Sequence, residues 1–232
     1  MISYNRIWLQ PSNRENKKMK NSLILYSGGM DSTVLLYHKR EEIALAVSFN
    51  YGSKHNDREL YFAALNTKKL GIEHVKLDLS DIIGKHFSSH LLKTGAEIPD
   101  GHYQEPIMKQ TVVPFRNGIM LSIAVGLAES KGLKQIYLAN HFGDHAIYPD
   151  CTSAFIEPFK EAAKAGTYEK IEIVSPYVSI TKRDIALIGK DLDVPFKYTW
   201  SCYKGKEHHC GKCGTCVERK EALEGFDETV YA

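Results

Sequence analysis

No apolar run in this 232-residue chain reaches the length of a membrane span, and no charged-then-apolar leader opens it. The expectation is therefore a cytoplasmic protein that engages no membrane. A dominant charge is also lacking. Thirty Lys and Arg against 28 Asp and Glu leave a net charge of +2, too small for a large nucleic-acid footprint. Internal repeats and low-complexity tracts are absent. Neither G-x-x-x-x-G-K-[ST] nor G-x-G-x-x-G occurs, which excludes a Walker loop and a dinucleotide fingerprint. Cysteine is almost missing from the first 200 residues, where Cys151 stands alone and reads as a small buried hydrophobe.

What is present fits one α/β domain with a small appendage. Hydrophobic residues make up 43% and charged residues 25%, ordinary for a globular chain of this length. Apolar runs at Leu23–Tyr26, Ala44–Phe49, His74–Leu77, Gln135–Ala139 and Ile171–Val174 alternate with helical patterns. That alternation predicts an open parallel sheet of about five strands with helices on both faces. Helices are expected over Asp57–Leu70, stopped by Gly71, and over Asn117–Ser130. Two more are expected, one starting near Glu157 with Pro158 in its first turn and one over Thr181–Leu192, opened by Thr181 and Asp184. The predicted division is a polar extension over residues 1–22, the α/β domain over 23–200 and a metal-binding segment over 201–232. Met19 offers an alternative start. The long connection from Ser80 to Thr111 has little periodicity and reads as a partial lid or substrate flap.

The densest signal is Tyr26-Ser27-Gly28-Gly29-Met30-Asp31-Ser32-Thr33, placed between a buried strand and a helix. Two glycines let the backbone turn sharply and approach a ligand. The free N–H groups of the helix N-terminus, backed by its dipole, then face an anion. With the hydroxyls of Ser27, Ser32 and Thr33, this is a phosphate cradle. At the other end, Cys202, Cys210, Cys213 and Cys216 follow the spacing C-x7-C-x2-C-x2-C, which suits tetrahedral Zn²⁺. Four protein ligands leave no open position, so the predicted metal is structural. His208 or His209 is an alternative ligand to one sulfur. Lys204, Lys206, Lys212, Arg219 and Lys220 would offset the net charge of about −2 on four thiolates and one zinc.

The loop S-G-G-M-D-S resembles that of the PP-loop ATP pyrophosphatases, adenine nucleotide alpha hydrolase-like enzymes that split ATP between the α- and β-phosphates and adenylate an acceptor oxygen. Together with T-V-V-P-F-R-N, Y-P-D-C and W-S-C-Y-K-G before C-G-K-C-G-T-C, it makes the chain similar to the 7-cyano-7-deazaguanine synthase family from about Leu23 to Leu223. The resemblance implies queuosine precursor synthesis from 7-carboxy-7-deazaguanine, ammonia and ATP with Mg²⁺, in a possible homodimer. It implies ATP contacts over Tyr26–Thr33. Asp31 is a candidate through the metal, Lys54 and Arg116 for phosphate or carboxylate oxygens, and Tyr51 and Phe115 for stacking on a purine. Asn117, Tyr148 and Asp150 fall in the motifs that would contact the substrate, with Asp150 reading its guanine-like edge. For each of these, a packing role or an ordinary ion pair is the competing reading.

Two departures stand out. The family's central motif usually reads V-P-G-R-N, and Phe115 replaces that glycine. The run Asn140–Ile147 replaces an acidic, serine- and glycine-containing segment. Both fall where the acceptor is expected, so a relative that stops at the amide or uses another amine is an alternative. A tRNA-modifying ligase and a nucleotide-sensing zinc module are others.

Overall fold

The computed structural model describes residues 20–102, 106–142 and 147–232. The polar stretch through Met19 and the run Gly143-Asp144-His145-Ala146 lie outside the described residues. Five strands form one parallel sheet: β1 (Ser22–Leu25), β2 (Ile43–Asn50), β3 (Glu73–Asp78), β4 (Gln135–Tyr137) and β5 (Glu172–Val174). All five lie where the apolar runs put them, with ends shifted by one or two residues. Their spatial order is β3-β2-β1-β4-β5, so the winding reverses between β1 and β4 and opens a crevice at their carboxyl ends.

Side chains on a strand alternate between faces, and β1 shows both cores. Leu23 joins Leu45, Val47 and residues of α3 (Arg116–Ser130) and α4 (Ser153–Ala165). Ile24 joins residues of α1 (Met30–His38), α2 (Asn56–Leu70), α5 (Lys182–Asp191) and α6 (Gly214–Ala222) on the other side. Covering both faces is what a parallel sheet requires. α2 stops at Gly71, whose φ of 63° suits glycine. α5 opens with a reciprocal cap in which the Asp184 N–H donates to Thr181 Oγ1 at 3.2 Å and the Thr181 N–H donates to Asp184 Oδ2 at 2.9 Å.

Three expectations need correction. α4 begins at Ser153, not near Glu157, and carries Pro158 in its second turn. There the proline removes one bond, to the Ala154 carbonyl, while Ile156 and Ala163 hold the helix on the sheet. The connection from Ser80 is no loose flap in its described part, because Ile83, Leu91, Leu92 and Ile98 form a third core with Trp200, Cys202, Cys213 and Cys216. Finally, Ile107–Ser130 is long and apolar enough to cross a membrane by length and composition alone. Here it is interrupted at Val112–Phe115, and α3 packs Leu121, Ala124 and Ala128 onto the sheet.

The turn between β1 and α1 is held by a close approach. Gly28 has φ +87°, and a Cβ there would lie 2.3 Å from the Glu59 carbonyl oxygen and 2.9 Å from the Ala63 nitrogen, both on α2. Gly28→Ala should cost about 2 kcal/mol or more from strain and displacement of α2, read as a lower denaturation midpoint. An unchanged midpoint would show that the turn can shift freely.

Candidate functional site

A cavity of about 240 Å³ opens at the carboxyl ends of β1 and β4, where the sheet order reverses. Its first wall is the β1–α1 turn. Ser27 Oγ accepts from the Gly29 N–H at 3.0 Å and shares a hydrogen bond with Ser32 Oγ at 3.0 Å. Thr33 Oγ1 donates to the Gly29 carbonyl at 2.8 Å. These bonds fix the loop, yet no side chain caps α1. The first-turn amides of α1 therefore keep their donors for a ligand. Tyr26, Ser27, Gly29, Met30, Asp31 and Ser32 line the cavity. Gly28 and Thr33 stand behind it.

Asp31 sits at this end. Its Oδ2 is 3.4 Å from Lys182 Nζ, at the start of α5, and 3.8 Å from His141 Nε2. Lys182 also reaches Glu218 Oε2 of α6 at 3.0 Å. Asp31 Oδ1 is buried with no hydrogen-bond partner among the described residues. Such an orphaned carboxylate oxygen, beside free amides, fits a hard divalent cation.

The opposite wall is built around Arg116, at the start of α3. Its guanidinium donates to Tyr51 Oη at 2.9 Å and lies 5.2 Å from the Tyr51 ring centre and 5.9 Å from that of Tyr148. Burial opposes the charge, but Tyr51, Tyr148, Tyr203 and Glu59 together hold its pKa well above the ordinary value. Tyr51 Oη is 3.2 Å from His55 Nε2, and His55 Nε2 is 3.6 Å from Glu59 Oε2. Burial, aided by Arg116, pushes His55 down to about 3, so the ring is neutral. Burial raises Glu59 from 4.5 to about 8, against the pull of Arg116. Tyr51, Arg116, Asn117 and Tyr148 thus meet at one cavity.

Three candidates lie elsewhere. Lys54 does not line the cavity, and its ammonium donates to the carbonyls of His90, Gly95 and Ala96 at 2.8, 3.0 and 2.5 Å. Asp150 accepts the Asn117 N–H at 2.8 Å, capping α3 from outside the cavity. Phe115 is 55% exposed and packs edge-on against Phe155, with ring centres 5.5 Å apart. Its φ of 53° is the left-handed conformation that favours glycine. The departure from V-P-G-R-N therefore changes a turn on the outer surface, not the pocket. Residues that the sequence reading missed are Lys182, Glu59, Ser201 and Tyr203, all in the cavity wall, which Asn140 joins from the run expected near the acceptor.

Behind the site, the four C-terminal cysteines converge, with all sulfurs within 4.8 Å of one another. Cys210–Cys216 and Cys202–Cys213 sulfur separations are 3.9 and 4.0 Å. Four sulfurs about 2.3 Å from one zinc would be about 3.8 Å apart, so the cluster fits a tetrahedral ion. The Cys213 and Lys212 amides point at Cys210 Sγ, at 3.3 and 3.5 Å. His209 Nε2 instead accepts the Ser201 N–H at 3.1 Å, which takes it out of the ligand set. Arg219, fully buried, ties this segment down through Thr229 Oγ1, Thr199 Oγ1, Ser201 Oγ and the Phe196 carbonyl.

Among protein-family models, the one described as queuosine biosynthesis protein QueC matches residues 21–227. A Porphyromonas gingivalis protein named 7-cyano-7-deazaguanine synthase is 61% identical over 207 residues, 89% of this chain and 94% of its own. Another so named, from Desulfotalea psychrophila, is 52% identical, covering 92% and 99%. Among solved structures, NMN synthetase from Francisella tularensis aligns with a TM-score of 0.52 and 13% identity over 91% of this chain and 79% of that one. That last likeness concerns the fold alone.

Two outcomes follow from this geometry. Phe115→Gly should leave the KM for the acceptor unchanged and alter stability by no more than about 1 kcal/mol, since relief of the left-handed backbone offsets the lost ring contact. Glu59 binds its proton more tightly folded than unfolded, so stability falls as pH rises between 4.5 and about 8. Glu59→Gln should remove that slope: its unfolding temperature should exceed the parent's at the alkaline end, with the gap closing toward the acid end.

Proposed function

The chain belongs to the QueC family of queuosine biosynthesis proteins, and from that membership we propose that it is an ATP-dependent ligase converting 7-carboxy-7-deazaguanine and ammonia into 7-cyano-7-deazaguanine. The observation that carries this reading is a single cavity with unpaired helix amides at one end and a tyrosine-flanked arginine at the other. A carboxylate is a poor electrophile because its leaving group would be oxide. Adenylation replaces that leaving group with AMP, ammonia then gives the amide, and a second adenylation of the amide oxygen lets AMP depart to leave the nitrile.

Each end has its task. The amides of Met30, Asp31 and Ser32, with the Ser27 and Ser32 hydroxyls, receive the outgoing pyrophosphate, and Lys182 adds a positive charge beside them. Asp31 would hold Mg²⁺, which neutralises phosphate charge when bound. Arg116 orients the acceptor carboxylate with its bidentate fork. The Tyr51 and Tyr148 rings flank the acceptor, and Asn140 Oδ1, buried in the cavity wall without a partner among the described residues, accepts from its guanine-like edge. Asp150 is not needed for that role. The four cysteines would hold a structural Zn²⁺ beside the segment that carries Ser201 and Tyr203. With Phe115 outside the cavity, one of the two grounds for a different amine acceptor falls away; the other, the run Asn140–Ile147, begins in the cavity wall at Asn140.

Incubation with 7-carboxy-7-deazaguanine, ammonium and Mg-ATP should yield first the amide and then the nitrile by mass spectrometry, with AMP and pyrophosphate. Zinc should be bound at one ion per chain. Arg116→Lys should raise the acceptor KM by about tenfold or more while leaving the KM for ATP nearly unchanged. Zinc-replete protein that releases no acceptor-dependent AMP would sink the reading.

A further inference from the structure

An amide ligase consumes ammonia, yet neutral solution supplies almost only ammonium, which has no lone pair to attack with. On the reading proposed above, the cavity must therefore remove a proton. Two carboxylates line it among the described residues, Asp31 and Glu59. Asp31 is engaged with Lys182 at the phosphate end. Glu59 lies on the acceptor side, where Arg116 acts on it electrostatically, and no lysine or arginine lies within ion-pair distance of it among the described residues. Its side chain is 16% exposed, enough to face the cavity.

We propose that Glu59 is the binding site and proton acceptor for ammonium, held in place by the Arg116–Tyr51–His55 relay. The relay is geometric. Arg116 donates to Tyr51 Oη at 2.9 Å, Tyr51 Oη meets His55 Nε2 at 3.2 Å, and His55 Nε2 stands 3.6 Å from Glu59 Oε2. It keeps the carboxylate beside the guanidinium without pairing the two. Where Glu59 is ionised, a fraction that grows as pH rises toward about 8, an ammonium ion there meets one anion that attracts it and one cation that repels it. Transfer of its proton to Glu59 turns an anion and a cation into two neutral species, which a poorly solvated cavity favours. A carboxyl raised to about 8 is a far better base than an ordinary one.

The atoms balance. Ammonium gives one proton to the Glu59 carboxylate and becomes ammonia. Its lone pair forms the C–N bond at the acyl carbon, the C–O bond to the phosphate breaks, and AMP leaves with that electron pair. The surplus N–H proton passes to the departing phosphate oxygen. The groups facing Glu59 are His55 on its own helix, Tyr51 before that helix and Arg116 on α3; both Tyr51 and Arg116 feel its charge.

The test uses two nucleophiles, ammonium and hydroxylamine, the second already unprotonated at neutral pH. With saturating acid and Mg-ATP, Glu59→Gln should lose roughly 10²–10⁴-fold in amide formation from ammonium. Its hydroxamate formation from hydroxylamine should stay within about tenfold of the parent's, because that nucleophile needs no base. Glu59→Asp, which keeps a carboxyl, should recover part of the ammonium rate and serves also if the glutamine variant fails to fold. Equal losses with both nucleophiles in a folded variant, or no selective loss with ammonium, would overturn the proposal. A parent protein that makes neither amide nor hydroxamate would instead overturn the ligase reading, and this inference with it.

Discussion

The contact on which the site depends is between the bare Cα of Gly28 and the backbone of α2. Without a Cβ, the β1–α1 turn rests directly on the turn of α2 that carries Glu59 and Ala63. The same Gly28 accepts, through its carbonyl, the N–H of Trp200 at 3.0 Å. One residue thus fixes the β1–α1 loop against the helix that His55 caps and Glu59 belongs to, and against the segment that leads into the cysteines. Gly29 adjoins it with a hypothetical Cβ 3.4 Å from the Trp200 carbonyl, so both sides of the turn are filled. The donors that face the cavity stay unpaired because everything behind them is paired.

Charge is sorted along the cavity in the same way. At one end the Asp31, Lys182 and Glu218 side chains form a run from α1 to α5 to α6. At the other, a guanidinium sits among tyrosine rings, with a carboxyl kept at a distance from it. Low polarity strengthens every such interaction and makes each unmatched group costly. Arg219 shows the alternative solution: fully buried, it is satisfied by four neutral oxygens. Burial lowers its pKa, while nearby Tyr231, Asp227, Cys216 and Asp31 act to keep it charged.

Much of this was legible in the chain because the signals were local. Five apolar runs gave five strands, and Ser27-Gly28-Gly29-Met30-Asp31-Ser32 declared its turn and helix start within six residues. The cysteine spacing gave the four-sulfur cluster because its members are close neighbours along the chain. The losses were of direction. Lys54, Phe115 and Asp150 sit in the right motifs, but which way a loop side chain points is decided by partners far away, such as the His90–Ala96 carbonyls for Lys54. Glu59 was passed over, although His55 and Glu59 stand four residues apart just after a strand end. Lys182 was masked by its neighbour Thr181, whose cap explained the helix without it. Pro158 suggested a later start for α4 because proline favours first turns, and packing overrode that preference.

The cavity draws its walls from both halves of the chain. Its floor is made by residues before Asn56, while Lys182, Trp200, Ser201, Tyr203 and Thr215 close it. Synthesis on the ribosome runs in one direction, so a nascent polypeptide can pair β1 with β2 early yet has no finished pocket until Thr215 has been added. A ligand that touches both walls can then brace the fold only after both have been made.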